Sequence, residues 1–143
     1  LTNNTCVYLD TNILIANIDE EDPHHSGVEV LLNNISHRRA VSELTLVELV
    51  LVFSRGGLKD PVALAVFSVE RVGARIVKVD FEEVLKKAID YTVRLKLKTL
   101  DLLHVVISSL IGCSEFATLD KDIVNKAEEI AETLNIKVVS ITK

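Results

Sequence analysis

"TCVYLDTNILIA", residues 5–16, is the stretch whose reading decides the fold. Its first half, "TCVYLD", is β-branched and aromatic and reads as a strand. Its second half passes through "DTN", three good capping residues, into a helical pattern. A strand that hands over directly to a helix is the half-unit of a parallel α/β fold. The residue at the junction is a carboxylate, Asp10. Read alone, Asp10 is evenly balanced between a helix cap and a functional acid at the end of a strand.

The same alternation runs on through the chain. "RAVSEL" (39–44), "ARIVKV" (74–79), "SEFATL" (114–119) and "IKVVSI" (136–141) read as further strands. A helix is expected over about 25–36, and another in "SELTLVELVLVFSR", stopped by Gly56-Gly57. "KDPVALAVFSVERVG" is a third, with Pro61 in its first turn. "DFEEVLKKAIDYTVRLKL" is amphipathic and capped by Asp80, and "KTLDLLHVVISSLIG" (98–112) takes Thr99 as its N-cap. "DKDIVNKAEEIAETLN" reads as one continuous helix. The pattern predicts an α/β fold with a mostly parallel sheet and helices on both faces. No repeat or dividing linker is visible, so residues 1–143 are expected to form a single domain.

Hydrophobic residues make up 48% of the chain, which places it among folded proteins. Its apolar runs are too short to cross a bilayer, and no basic flank with an apolar stretch opens it. The expectation is a cytoplasmic protein that does not engage a membrane. Met is absent even from position 1, so Leu1 is not read as the natural start. The net charge of -5 argues against coating nucleic acid by bulk charge. It leaves room for an enzyme that grips nucleic acid locally and holds metal ions in an acidic pocket. Cys6 and Cys113 lack CxxC spacing, which argues against a zinc site.

In open α/β sheets, ligands sit beyond the carboxyl ends of the strands, where the strand order reverses. Asp10 follows the first strand, Glu43 and Glu48 the second, and Asp120 and Asp122 the fourth. Asp80 needs no further explanation than its cap. Glu48 lies among Val47, Leu49, Val50, Leu51 and Val52, which leave little polar face for it. Asp101 opens a helix that is apolar nearly all round, where a carboxylate is out of place unless paired. The helix dipole would explain tolerance of Asp101 but not the apolar turn around it. Asp120 and Asp122, taken singly, are ordinary first-turn acids. Together, carboxylates converging on one sheet edge would repel strongly, and a divalent cation is the compensating charge. An all-oxygen donor set favours Mg²⁺ or Mn²⁺ over Zn²⁺.

His104, one turn after Asp101, is better read as a satisfied core histidine than as a contact to substrate or to an acid. His24 and His25 lie in a polar loop and read as solvated. "HRR" (37–39) and Arg94, Lys96 and Lys98 are candidate phosphate contacts, though such clusters are commonly plain surface charge. Phe53, Phe67, Phe81 and Tyr91 all fall in helical patterns that suggest core. No substrate-binding residue is assigned.

With these acids in place, the sequence resembles the PIN-domain family of metal-dependent ribonucleases over nearly its whole length. "VYLDTNILIA" looks like the opening strand and first acid, Asp10. "SELTLVELV" is similar to the second motif, with Glu48, and "TLDLLHVVIS" to the third, with Asp101. "FATLDKDI" is similar to the fourth, with Thr118 as the hydroxyl residue, Asp120 as the acid and Asp122 as an extra acid. The order and spacing of the four motifs carry the resemblance. Leu102 departs from the small residue common after the third acid and is expected to narrow the pocket. The short chain looks most like the VapC toxins of toxin–antitoxin pairs.

The resemblance implies a three-layer α/β/α fold with a five-stranded sheet of order 3-2-1-4-5. It implies an endoribonuclease, a phosphodiester hydrolase, cutting single-stranded or looped RNA with Mg²⁺ or Mn²⁺. Asp10, Asp101 and Asp120 would be direct ligands, and Glu48 would bind metal through water or orient the attacking water. Asp122 would be a further ligand. Asn12 and Thr118 would position acids or water from behind. A homodimer and a small antitoxin protein would be the partners. Two rivals are an RNA-maturation nuclease of the same fold and a PIN-like adaptor that binds RNA or protein without cutting. A haloacid-dehalogenase-type phosphatase is disfavoured because Asn12 stands where its second aspartate is needed.

Three physical expectations follow. Asp10→Asn and Asp101→Asn should each leave the metal-free fold neutral or more stable, by removing like-charge repulsion. The apolar helix "PVALAVFSVERVG" should serve a symmetric dimer. Cys6 and Cys113 should approach within about 7 Å, as two buried thiols in preference to a disulfide.

Overall fold

A computed structural model describes residues 5–141, so Leu1 and both ends of the 1–143 expectation lie outside the described residues. The chain runs β1 (Cys6–Leu9), α1 (Thr11–Ile18), α2 (His25–Asn33), β2 (Arg38–Ser42), α3 (Glu43–Arg55), α4 (Pro61–Arg71) and β3 (Ala74–Val77). It continues with α5 (Phe81–Leu95), α6 (Thr99–Leu110), β4 (Glu115–Ala117), α7 (Lys121–Val124), α8 (Ala127–Leu134) and β5 (Lys137–Val139). The five strands form one parallel sheet of order β3-β2-β1-β4-β5. This is the order the motif resemblance implies.

Strand β1 is central, and both its faces are buried, as a parallel sheet requires. Successive side chains point to opposite faces. Val7 and Leu9 accordingly join one core, with Ile13, Leu14, Val28, Val41, Leu49, Phe53 and Val69 under α1 to α4. Tyr8 joins the other core, with Ala40, Val84, Val105, Val106, Phe116 and Ile130 under α5, α6 and α8. Leu102 is 4% exposed in that second core, so its bulk is absorbed by packing and does not narrow a pocket.

Four details differ from the sequence reading. The last helix is broken in two: α7 ends at Val124 and α8 starts at Ala127. Helix α6 has Lys98 at its N-cap and Thr99 as its first residue, with no side-chain cap. Phe67 is 49% exposed on α4 and not in the core, because the inward positions of that helix go to Ala65, Ser68 and Val69. The cysteines are joined by a disulfide with a Cα–Cα separation of 4.5 Å, which replaces the expected pair of thiols. Cys6 starts β1 and Cys113 lies two residues ahead of the neighbouring β4, and the Ser114 N–H donates to the Cys6 carbonyl at 3.0 Å.

Because the chain builds outward from β1 through β2 to β3, then returns to place β4 on the other side, strand order reverses between β1 and β4. Their carboxyl ends open the crevice typical of such switch points. No helix among the described residues is long and apolar enough to cross a membrane.

Candidate active site at the β1–β4 switch point

Asp10 leaves β1 at this crevice and is 4% exposed. It is both the cap and the central acid, so the two readings of that residue do not exclude each other. Its Oδ1 accepts from the Thr11 N–H at 2.9 Å, which caps α1. Its Oδ2 accepts from the Thr118 hydroxyl at 2.7 Å and from the Asn12 amide at 3.3 Å. Asn12 is itself fixed, since its Oδ1 accepts from the Leu119 N–H at 3.1 Å. Thr118 also accepts from the Asp120 N–H at 2.9 Å. A single hydroxyl therefore couples the acid after β1 to the backbone of the acid after β4. Burial raises the Asp10 carboxyl above its ordinary range, opposed by the charge of His104 and the hydrogen bonds from Thr118 and Thr11.

Asp120 is the N-cap of α7, its Oδ1 accepting from the Asp122 N–H at 2.8 Å. Asp101 stands in the first turn of α6 and is half-buried. Its carboxyl is pushed up to about 7, first by burial, then by the charges of Asp120 and Asp10 and by a hydrogen bond with Asp120. That set of causes places Asp10, Asp101 and Asp120 in one electrostatic cluster, and answers what Asp101 faces in its apolar helix. Asp122 is exposed, and its carboxylate makes no hydrogen bond or ion pair among the described residues.

Glu48 reaches the crevice from α3. The helix starts directly at the end of β2, where the Thr45 hydroxyl accepts from the Ser42 N–H at 3.3 Å. The Glu48 side chain keeps 22% exposure. Its Oε1 accepts from the Thr11 hydroxyl at 2.6 Å and from His104 Nε2 at 2.5 Å. Burial pushes the Glu48 carboxyl up, but these two partners outweigh it and hold it below its ordinary range. His104 is 1% exposed and meets the Tyr8 hydroxyl through Nδ1 at 2.7 Å. It is thus both a satisfied core histidine and the partner of an acid. Sequence reasoning missed Thr11 and Tyr8. Thr11 stood within "DTN" as one more capping residue, and Tyr8 read only as strand aromatic, though a buried phenol needs a partner for its hydroxyl.

The candidate phosphate contacts fare differently. Arg39 donates to the Val72 carbonyl at 2.8 Å and the Leu32 carbonyl at 2.5 Å, so its guanidinium ties β2 to the C-terminal ends of α4 and α2. Arg94 pairs with Glu132 at 3.5 Å on the surface.

The donor set fits a hard divalent cation in kind: it is all oxygen, buried to half-buried, and crowded with like charge. In position the carboxylates are gathered without being closed into a shell. Among the described residues, no three Asp, Glu, His or Cys side chains stand ready to ligate a metal ion.

This fold and crevice belong to a known class. The chain is a member of the PIN domain family, which matches residues 7–129. Its fold is that of several VapC proteins. VapC20 of Mycobacterium tuberculosis, a sarcin–ricin-loop-cleaving toxin, superimposes with a TM-score of 0.68 at 17% identity, over 83% of this chain and 93% of that one. VapBC2 of Rickettsia felis, bound to a DNA fragment from its promoter, gives 0.65 at 16% identity, over 96% and 100%. A toxin–antitoxin complex from Klebsiella pneumoniae gives 0.60 at 17% identity, over 80% and 87%. At these identities the likeness is one of fold. No curated protein matches the sequence.

Proposed function

We propose that this protein is a metal-dependent endoribonuclease that cleaves single-stranded or looped RNA in the cytoplasm, as the toxin of a toxin–antitoxin pair. One observation carries the reading: Asp10, Asp101 and Asp120 act on one another in the crevice, and burial together with the charges of Asp120 and Asp10 lifts Asp101 to about 7. A fold has no use for such repulsion unless a cation relieves it. Membership in the PIN family and the likeness to VapC folds support the same reading.

Asp10, Asp101 and Asp120 would hold Mg²⁺ or Mn²⁺, with Glu48 nearby. The bound ion would supply a polarised water and offset charge on the leaving oxygen. Asp10 is fixed in place by Thr118, Asn12 and Thr11. Asp101, lifted to about 7, must release its proton before it can serve as a ligand. Glu48 has one oxygen engaged twice and Oε2 without a protein hydrogen bond among the described residues. That oxygen is free to orient the water whose oxygen attacks phosphorus as the leaving sugar oxygen departs.

The partners proposed are a second copy of the chain and a small antitoxin. The helix read as a dimer surface exposes Val62 (60%), Val66 (40%) and Phe67 (49%), and α3, which packs against it, exposes Val47 (64%) and Leu51 (47%). An apolar face of that extent marks a contact surface. The deciding experiment incubates an RNA panel with the protein in Mn²⁺, in Mg²⁺ and in chelator, beside Asp101→Asn. Internal cleavage only with metal, absent in the variant, supports the reading. RNA binding without cleavage in every arm would favour the adaptor.

A further inference from the structure

We propose that His104 and Tyr8 are positioning residues that set the orientation of Glu48 at the acidic crevice. The proposal rests on the nuclease reading for its purpose, though not for its geometry. Five elements contribute to one chain of contacts. Ser42, at the end of β2, meets the Tyr8 hydroxyl at 2.8 Å, and Tyr8 meets His104 Nδ1 at 2.7 Å. His104 Nε2 then meets Glu48 Oε1 at 2.5 Å, and Thr11 meets the same oxygen at 2.6 Å.

The donors can be ordered. A carboxylate only accepts, so the ring proton lies on Nε2 and the Thr11 hydroxyl donates. In the neutral ring, Nδ1 accepts from the Tyr8 O–H, and the Tyr8 oxygen accepts from Ser42. The whole chain points one way, from the sheet to Glu48.

A surface glutamate on α3 needs none of this. Tyr8, His104 and Ser42 are each at most 1% exposed. Burying such groups costs free energy unless every partner is in place. Here the partners converge on one oxygen of one partly buried acid. Tyr8 is in turn fixed by stacking on Phe116, with ring centroids 5.5 Å apart and planes 9° apart. The packing of β1 against β4 therefore reaches Glu48 through two rigid rings. His104 is too buried to touch RNA, so it acts through Glu48 and is not itself catalytic.

The test uses the full chain with Tyr8→Phe, His104→Leu and His104→Gln. The first two remove a link at nearly constant volume. The third keeps an N–H that can reach Glu48. The expected result is a fall in kcat of about 10–100-fold for Tyr8→Phe and His104→Leu, as for other groups that orient an acid, with KM for a fluorogenic RNA unchanged. His104→Gln should recover most of kcat. A second readout needs no catalysis. In metal-free protein, the side-chain ¹⁵N signals of His104 should show the proton on Nε2, and should shift on Glu48→Gln. Should wild type fail to cleave RNA at all, the nuclease reading falls while this readout still tests the geometry. Wild-type kcat in Tyr8→Phe, no rescue by glutamine over leucine, or a ring without a proton on Nε2 would each overturn the proposal. If His104→Leu does not fold, Tyr8→Phe and the ¹⁵N spectrum decide.

Discussion

Thr118 donates to Asp10 Oδ2 at 2.7 Å across 108 residues of sequence, joining the ends of two neighbouring strands through one hydroxyl. The same oxygen accepts the Asp120 N–H at 2.9 Å. Thr118→Val keeps the shape and removes both bonds. Metal affinity and cleavage should fall about 10–100-fold, the usual cost of losing a group that orients a ligand. Stability should fall by roughly 1–3 kcal/mol, because a buried carboxylate loses its partner. Thr118→Ser should restore both, as read by Mn²⁺ titration and denaturant unfolding.

Metal-free stability should depend on pH through Asp101. Its carboxyl lies at about 7 in the folded chain against an ordinary value of 3.8. Between those values the folded state binds more protons than the unfolded one, so stability falls as pH rises through that window. Melts in chelator from pH 4 to pH 8 should show this slope, and Asp101→Asn should flatten it. A slope unchanged in the variant would assign it to another group.

Asp10→Asn and Asp101→Asn should both abolish cleavage yet differ in stability, where the sequence suggested that both would be neutral or stabilising. Asp101 is crowded by acids, so its neutral replacement relieves repulsion. Asp10 accepts from Thr11, Asn12 and Thr118, and an amide N–H₂ would face two of those donors. Asp10→Asn should therefore destabilise by about 1–3 kcal/mol. Paired chelator melts of the two variants distinguish them.

Reduction of Cys6–Cys113 should lower the melting temperature. The cysteines are 107 residues apart. A loop near that length corresponds to roughly 4–5 kcal/mol in the chain-entropy account, or about 10 °C for a chain of this size. A melt with and without reductant, beside Cys6→Ser, measures it.

Phe67→Glu should convert a dimer to a monomer. Phe67 is 49% exposed on the same helix as Val66 and Val62, and a charge there opposes burial. Light scattering at micromolar concentration gives the answer. A wild-type monomer would remove the premise.

The strand–helix alternation made the sheet legible from the sequence, because each strand was a short apolar run closed by a polar junction. Asp10, Asn12 and Thr118 were legible for the same reason: they sit at those junctions. The break between α7 and α8 was not, since "NKAEE" keeps helical composition through Asn125 and Lys126. Phe67 misled because its helix is apolar on two sides, and periodicity cannot say which side meets the sheet. The Tyr8–His104–Glu48 chain was hidden for a different reason. Its three members lie on three elements, and only the fold brings residues 8, 48 and 104 within hydrogen-bonding distance.

The bond between Cys6 and Cys113 also redraws the chain as a closed ring with a tail. Asp10, Glu48 and Asp101 lie inside the ring, and Asp120 lies outside it on the segment that follows Cys113. A protease that nicks the exposed loop between α1 and α2, around Pro23 and His24, would cut the ring once. The two pieces would stay tethered, with three acids on one covalent frame and the fourth still attached to it through β4. An oxidised molecule clipped at this exposed turn would remain one covalent molecule, whereas the reduced one would be two separate chains.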